Sequence, residues 1–217
     1  MSDSPAPPHP PEERTGTPRG TRALEIVTVL VLSITAVLTA WCGFEASKWG
    51  GEMSIAFSQA SGARIQAASA AGEARSATQY DLALYIEWVR AEFADDTQLA
   101  EYVEERFPPH LRVAFDAWIA GGRQAHGPFA MPEYVPPGTA EAAELSKLAD
   151  TRFQDALTYN QRGDNYSLLT VLFALVLFLT ALSQRDITRW ARHTFLGLAI
   201  AVGVVCAIIV FTFPIKI

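Results

Sequence analysis

Charge and apolarity alternate in long blocks along this chain. Residues 26–44, 165–184 and 194–215 contain no Asp, Glu, Lys or Arg and are dominated by Leu, Val, Ile, Ala and Phe. A hydrocarbon core of roughly 30 Å is crossed by about 20 apolar helical residues. Each block therefore predicts a transmembrane helix, at 23–44, 166–184 and 194–214. Residues 45–165 form a polar insertion between the first two. Residues 185–193 form a short basic loop, and residues 1–22 form a leading tail.

The insertion has its own periodicity. Small and apolar residues recur at alternating steps of four and three: Ala46, Trp49, Met53, Ala56, Ala60, Ala63, Ala67, Ala70, Ala74, Ala77, Asp81, Leu84, Trp88 and Ala91. That spacing predicts one long helix with a coiled-coil seam, since a 3.5-residue repeat keeps one stripe facing a left-handed partner. The run of alanines from Ala56 to Ala77 lets two helix backbones approach closely. Gly50-Gly51 is the expected kink, and a compact four-helix bundle broken at Gly72 is the alternative.

Shorter elements follow. The first helix is expected to stop near Ala94, with Asp96 or its neighbour capping the next. There, Leu99, Tyr102, Val103 and Phe107 mark one apolar face, closed by Pro108-Pro109. Leu111, Ala114, Phe115, Trp118 and Ile119 mark another helix, closed by Gly121-Gly122. A turn-rich loop containing Gly127, Pro128, Pro132, Pro136, Pro137 and Gly138 comes next. The final helix restarts near Thr139 with a seam of Ala142, Leu145, Ala149, Arg152, Ala156, Tyr159 and Gly163. At 1.5 Å per residue, 45–93 rises about 73 Å, while 97–120 and 140–165 return about 36 and 39 Å. These lengths predict an antiparallel hairpin. In it Ala56–Ala67 face Ala142–Ala156, and Ala74 and Ala77 face Phe115 and Trp118.

The fold class expected is all-α: three transmembrane helices with a long extracytoplasmic helical hairpin between the first and second. Orientation comes from charge. Arg14, Arg19 and Arg22 precede the first span, and Arg185, Arg189 and Arg192 sit between the second and third. Basic flanks stay in the cytoplasm. The insertion, with 18 acidic and 10 basic residues, is then outside, as is the C-terminus. No small-x-small cleavage site follows the first span, so it reads as an uncleaved anchor. Trp41, Phe44 and Trp49 are expected in an outer aromatic belt and Trp190 in an inner one. The tail, with prolines at 5, 7, 8, 10, 11 and 18, reads as disordered.

Composition sharpens this only modestly. The chain of 217 residues is 50% hydrophobic and 18% charged, with a net charge of −6. That acidity argues against nucleic acid as a partner. Arg outnumbers Lys 14 to 3, a bias pointing to a GC-rich, bacterial genome and hence to the bacterial inner membrane. Cys42 and Cys206 fall at different expected depths, which argues against a disulfide.

Candidate chemistry is sparse. Asp81 is the one acid in the long seam, and the predicted register puts it near His110 and Arg112. A polar seam residue of this kind sets register. Arg152 interrupts the other seam, where its stem can cover apolar surface. Trp49, Trp88 and Trp118 are candidate anchors or contact residues. Gly203 belongs to a small-residue stripe (Ala199, Gly203, Ala207) in the third span, as do Gly197 and Ala201, and such stripes mark close helix packing. Spacing for zinc, di-iron, a phosphate loop or a nucleophile elbow does not occur. No cofactor and no catalytic role are expected. The threonines of the spans are expected to bond their own helices.

In Trp41, Trp49, the outer helices and the loop Met-Pro-Glu-Tyr-Val-Pro-Pro-Gly at 131–138, the chain resembles small bacterial membrane proteins of unknown function. That resemblance spans most of 24–213 and implies no activity and no site residues. The hairpin on two spans is also similar to the extracytoplasmic sensory modules of chemoreceptors, but no signalling domain follows the second span. The expected function is therefore non-enzymatic: a helical arm for protein interaction in the cell envelope. The alternatives are a self-associating assembly with a permeation role, and an envelope sensor taking a ligand through the 121–139 loop. The lipid bilayer is a partner in all three.

Overall fold

The computed structural model describes residues 19–185 and 188–215. The proline-rich tail, expected to be disordered, lies outside the described residues apart from its last few positions. Among the described residues all regular structure is helical: α1 (Arg19–Phe93), α2 (Thr97–Glu104), α3 (Pro109–Ala120), α4 (Thr139–Ser183) and α5 (Arg189–Thr212), with one 3-10 turn at Pro128–Ala130. α1, α4 and α5 are each long and apolar enough to cross a membrane, the architecture of a multi-pass membrane protein. Helix α1 is unbroken through Gly50, Gly51 and Gly72. Each glycine costs up to about 1 kcal/mol in a helix interior. Propagation of an already nucleated helix through such isolated sites is favoured over starting a new one.

The chain divides into two compact units: residues up to Trp49 together with those from Arg162 onward, and Gly50–Gln161. In the first unit Phe173, Val176, Leu169, Ala199, Cys206 and Cys42 are buried between helices. Ile26, Val29, Ile34, Val37, Leu168, Val171, Phe178, Val205, Ile208 and Phe211 are exposed on the outside. An outward shell of large aliphatic side chains suits lipid rather than water. The hydroxyls of Thr28, Thr39, Thr170 and Thr180 donate to the carbonyls of Leu24, Thr35, Tyr166 and Val176, each four residues earlier. These four threonines thus satisfy themselves on their own helices, as expected.

In the second unit, the face of α1 marked by the 4-3 spacing is the covered one. Ala56, Ala60, Ala63, Ala70, Asp81, Trp88 and Ala91 are buried, and Met53, Ala67, Ala74, Ala77 and Leu84 are half-buried. Helix α4 lies against α1 in opposite direction: Phe57 meets Phe153 at 5.5 Å, Arg64 pairs with Asp150 at 3.7 Å, and Gly138, just before α4, meets the Ala70 carbonyl.

Helix α3 departs from expectation. Asp81 touches His110, Trp88 touches Phe115 and Trp118 at 4.9 and 6.3 Å, and Glu92 pairs with Arg123 at 3.5 Å. Both series ascend together, so α3 runs parallel to this part of α1, not back along it. Phe115 and Trp118 accordingly pack on Trp88 and Tyr85 rather than on Ala74 and Ala77. The return is made instead by residues 123–138, a strap that meets Tyr85 at Phe129, Asp81 at Tyr134 and Ala70 at Gly138. Extended chain covers up to about 3.3 Å per residue against 1.5 Å for a helix. Fifteen steps of strap therefore reach about 50 Å, ample for the roughly 33 Å between Glu92 and Ala70 along α1. Part of the return is thus made by extended chain, which a rise of 1.5 Å per residue does not count.

Candidate functional site

The second unit gathers its polar and aromatic side chains around one stretch of α1. Asp81 faces the interior because it occupies a seam position, seven residues before Trp88, and its side chain is fully buried. His110 arrives from the first turn of α3, which Pro109 starts at a position where the missing N–H costs nothing. Tyr134 arrives from the strap. His110 Nε2 lies 2.6 Å from Asp81 Oδ2, and the Tyr134 hydroxyl donates to the same oxygen at 2.7 Å. One carboxylate oxygen thus ties together α1, α3 and the strap. The other, Oδ1, is buried with no hydrogen-bond partner among the described residues. Burial pushes the Tyr134 phenol up to about 12, opposed by the Thr78 hydroxyl and reinforced by the hydrogen bond and charge of Asp81. A hydroxyl that keeps its proton is suited to hold the carboxylate permanently.

Next to this cluster lies an aromatic core. Trp88, Phe107, Phe115 and Trp118 are buried with Ala91, Ala100, Val103 and Leu111, and Tyr85, Phe129 and Tyr134 pack against them. Most of the ring pairs meet edge to face, the arrangement favoured by the ring quadrupoles. The Trp118 indole N–H donates to the Ala125 carbonyl at 2.8 Å, so the ring also anchors the start of the strap. Gly122 and Arg123, with φ of 70° and 59°, make the turn that sends the chain from α3 into the strap. Burial raises the Tyr85 phenol, and the nearby Arg123 charge partly offsets this.

The remaining sequence candidates scatter. Arg152 is exposed and pairs with Asp155 at 3.5 Å on its own helix. Arg112, expected near Asp81, pairs instead with Glu104 at 2.8 Å and Asp116 at 3.9 Å. Trp49 is buried, with the Arg162 guanidinium 4.6 Å from its ring centroid, so its face meets protein rather than a lipid headgroup layer. Gly203 packs toward α4, where a Cβ would touch Val176 at 3.5 Å. Helix α2 also turns differently from its expected face: Ala100, Val103 and Phe107 are buried, while Leu99 and Tyr102 are exposed. Asp96 caps that helix by accepting from the Leu99 N–H at 3.0 Å, as its spacing predicted. Ile119 is likewise exposed at the end of the α3 stripe.

Sequence reasoning missed two groups. Tyr134 lies in the turn-rich loop of the sequence, where nothing local marks it as a ligand of a carboxylate fifty residues away. Glu45 stands at the start of the polar insertion in the sequence, yet it is fully buried, close to Cys42 and Tyr166 in the first unit. The signal for it was present: Cys42, Glu45 and Trp49 extend the buried stripe of α1 backward at helical spacing. Among the described residues, no three His, Cys, Asp or Glu side chains gather as a metal site. Compared with protein-family models, with curated proteins and with solved structures, the chain matches none.

Proposed function

We propose that this is a non-enzymatic membrane protein of a bacterial envelope whose second unit is an extracytoplasmic module for docking another protein. The observation that carries the reading is the surface where α1 ends and α2 begins. Phe93 is 89% exposed, and Leu99 and Tyr102 on the helix that follows are exposed as well. Glu92, Asp95, Asp96 and Glu101 surround them in the sequence. Large apolar side chains left in solvent and rimmed by charge are the composition of a protein-binding patch. The aromatic core serves this role: Ala100 and Val103 of α2 are buried in one cluster with Trp88 and Phe115, so the patch is presented on a packed element.

The extracytoplasmic placement rests on Arg185, Arg189 and Arg192 between the second and third apolar helices. It is tested with a thiol at the exposed Ser146, labelled in intact cells by an impermeant maleimide. Labelling only after lysis refutes the orientation. Docking is tested by a photo-crosslinking residue at position 93 in the native membrane. The expected result is one discrete adduct that disappears in a Leu99→Ser/Tyr102→Ser background. Absence of any adduct overturns the docking role.

Self-association is a second reading with its own observation. Gly197 and Ala201 on α5 are exposed, and nothing approaches a Cβ placed at Gly197 within 4 Å. A second helix can pack closely on such a face. A monomeric mass in mild detergent removes that reading.

A further inference from the structure

We propose that the corner between Trp88 and Trp118 is a binding box for small organic cations of quaternary-ammonium size, occupied at rest by the protein's own Arg123. The two indoles stand nearly perpendicular, at 79° with centroids 6.3 Å apart. Tyr85 stacks on Trp88 at 5.8 Å and meets Trp118 edge-on at 6.1 Å, extending the aromatic wall. Glu92 supplies a carboxylate at the rim, and with Val89, Phe93 and Arg123 these residues line an open cleft of about 320 Å3. That volume falls in the range of small-molecule sites. Indole faces are the strongest cation-attracting surfaces among side chains, and two converging faces with an acid are the composition that recognises methylated ammonium groups.

The walls are fixed and the occupant is not. Trp88 is held against Phe115 at 4.9 Å, and Trp118 is held by its hydrogen bond to Ala125. Arg123, by contrast, is half-exposed and reaches Glu92 only at 3.5 Å. Its backbone is left-handed at φ 59°, which side-chain-bearing residues avoid. Its guanidinium carbon stands 5.4 and 5.5 Å from the two indole centroids, while Arg106 elsewhere in the same unit closes to 3.3 Å over Tyr102. A planar guanidinium lies flat on one ring but under-fills a right-angled corner. A tetrahedral trimethylammonium group can touch both faces at once. Displacement of Arg123 by such a cation exchanges a poor fit for a good one: the cation takes over the pairing with Glu92, and the half-exposed Arg123 guanidinium moves into solvent.

The inference shares Glu92 and Phe93 with the docking surface but is read separately: loss of the position-93 adduct leaves it standing, and failure to bind cations leaves docking untouched. The test titrates the full-length protein in maltoside micelles with choline and with tetramethylammonium, read by tryptophan fluorescence and calorimetry. The neutral carbon isostere 3,3-dimethylbutan-1-ol is titrated alongside. Saturable binding of both cations is expected, with the isostere at least about tenfold weaker. Arg123→Gly removes the resting occupant and suits the left-handed backbone, so it retains the fold and tightens choline binding by about fivefold. Glu92→Gln weakens it by about threefold. The cation can arrive as a free solute or as a lipid headgroup. Choline binding that is lost in phosphatidylcholine nanodiscs but kept in phosphatidylglycerol nanodiscs assigns the headgroup, and equal binding in both assigns the solute. Equal binding of the isostere and choline, or no saturation in either the natural protein or Arg123→Gly, overturns the proposal.

Discussion

Replacing Asp81 by alanine tests the idea that one buried carboxylate fastens three segments together. The substitution strands the Tyr134 hydroxyl and His110 Nε2, both bonded to Asp81 Oδ2 at 2.7 and 2.6 Å. An orphaned buried polar group costs about 1–3 kcal/mol, and the substitution leaves two. Relief of the unbonded Oδ1 offsets part of this, so the net loss is placed at about 3 kcal/mol. Loss of that size is a large share of the stability of a small domain. The suitable assay is amide hydrogen exchange of the full-length protein in micelles, read on peptides from α3 and from residues 128–138, because a two-unit chain need not unfold in one step. Three kcal/mol corresponds to exchange faster by about a hundredfold. The companion variant Asp81→Leu/His110→Leu/Tyr134→Phe replaces the whole cluster by apolar groups and is expected to recover to within about 1–2 kcal/mol of the natural protein. Exchange accelerated by less than about threefold in Asp81→Ala, or a triple variant as unstable as the single one, refutes the fastening role.

Further predictions follow from other contacts. Gly138→Ala forces a Cβ to within 2.4 Å of the Ala70 carbonyl oxygen at a φ of 82°, so the strap shifts at its C-terminal end; limited proteolysis should cut near 131–138 markedly faster than in the natural protein, with a cost of about 2–4 kcal/mol. Because the folded Tyr134 phenol is raised to about 12 from the ordinary phenol value of about 10, its contribution to stability is complete below about pH 10 and is lost as pH rises through about 12. Absorbance titration at the phenolate band should therefore show a late phase that shrinks in Tyr134→Phe, and an unchanged late phase contradicts the site. Gly203→Leu pushes a large side chain toward Val176, where even a Cβ is in contact; thermal unfolding in detergent should show destabilisation of about 1–3 kcal/mol, whereas Gly197→Leu, with open space around it, should be near neutral in the monomer.

Much of the architecture was already legible in the linear pattern. Charge-free blocks of the right length mark the three apolar helices, since the requirement is a local count of apolar residues. The 4-3 spacing marked the covered face of α1 as far as Trp88 and Ala91, because side-chain direction along a helix follows from its period alone. Caps and stops at Asp96, Pro109 and Gly121 were equally local, and Asp81 stood out as a charge on an otherwise small and apolar stripe. The pairing of Asp81 with His110 was also within reach, though not for the reason given: the register that suggested it had α3 running the wrong way.

What only the tertiary structure decided is direction and company. Whether α3 runs with or against α1 depends on where the chain between 121 and 138 travels, and extended and helical segments differ twofold in reach without any change in composition. Once that strap descends along α1, Tyr134 joins Asp81, Trp118 joins Trp88, and Arg123 falls into the corner between the two indoles. For Glu45 and Trp49 the helical spacing marks the inward face, and the helices packed beside α1 decide what covers it. Periodicity states which face of a helix is covered; only packing states what covers it.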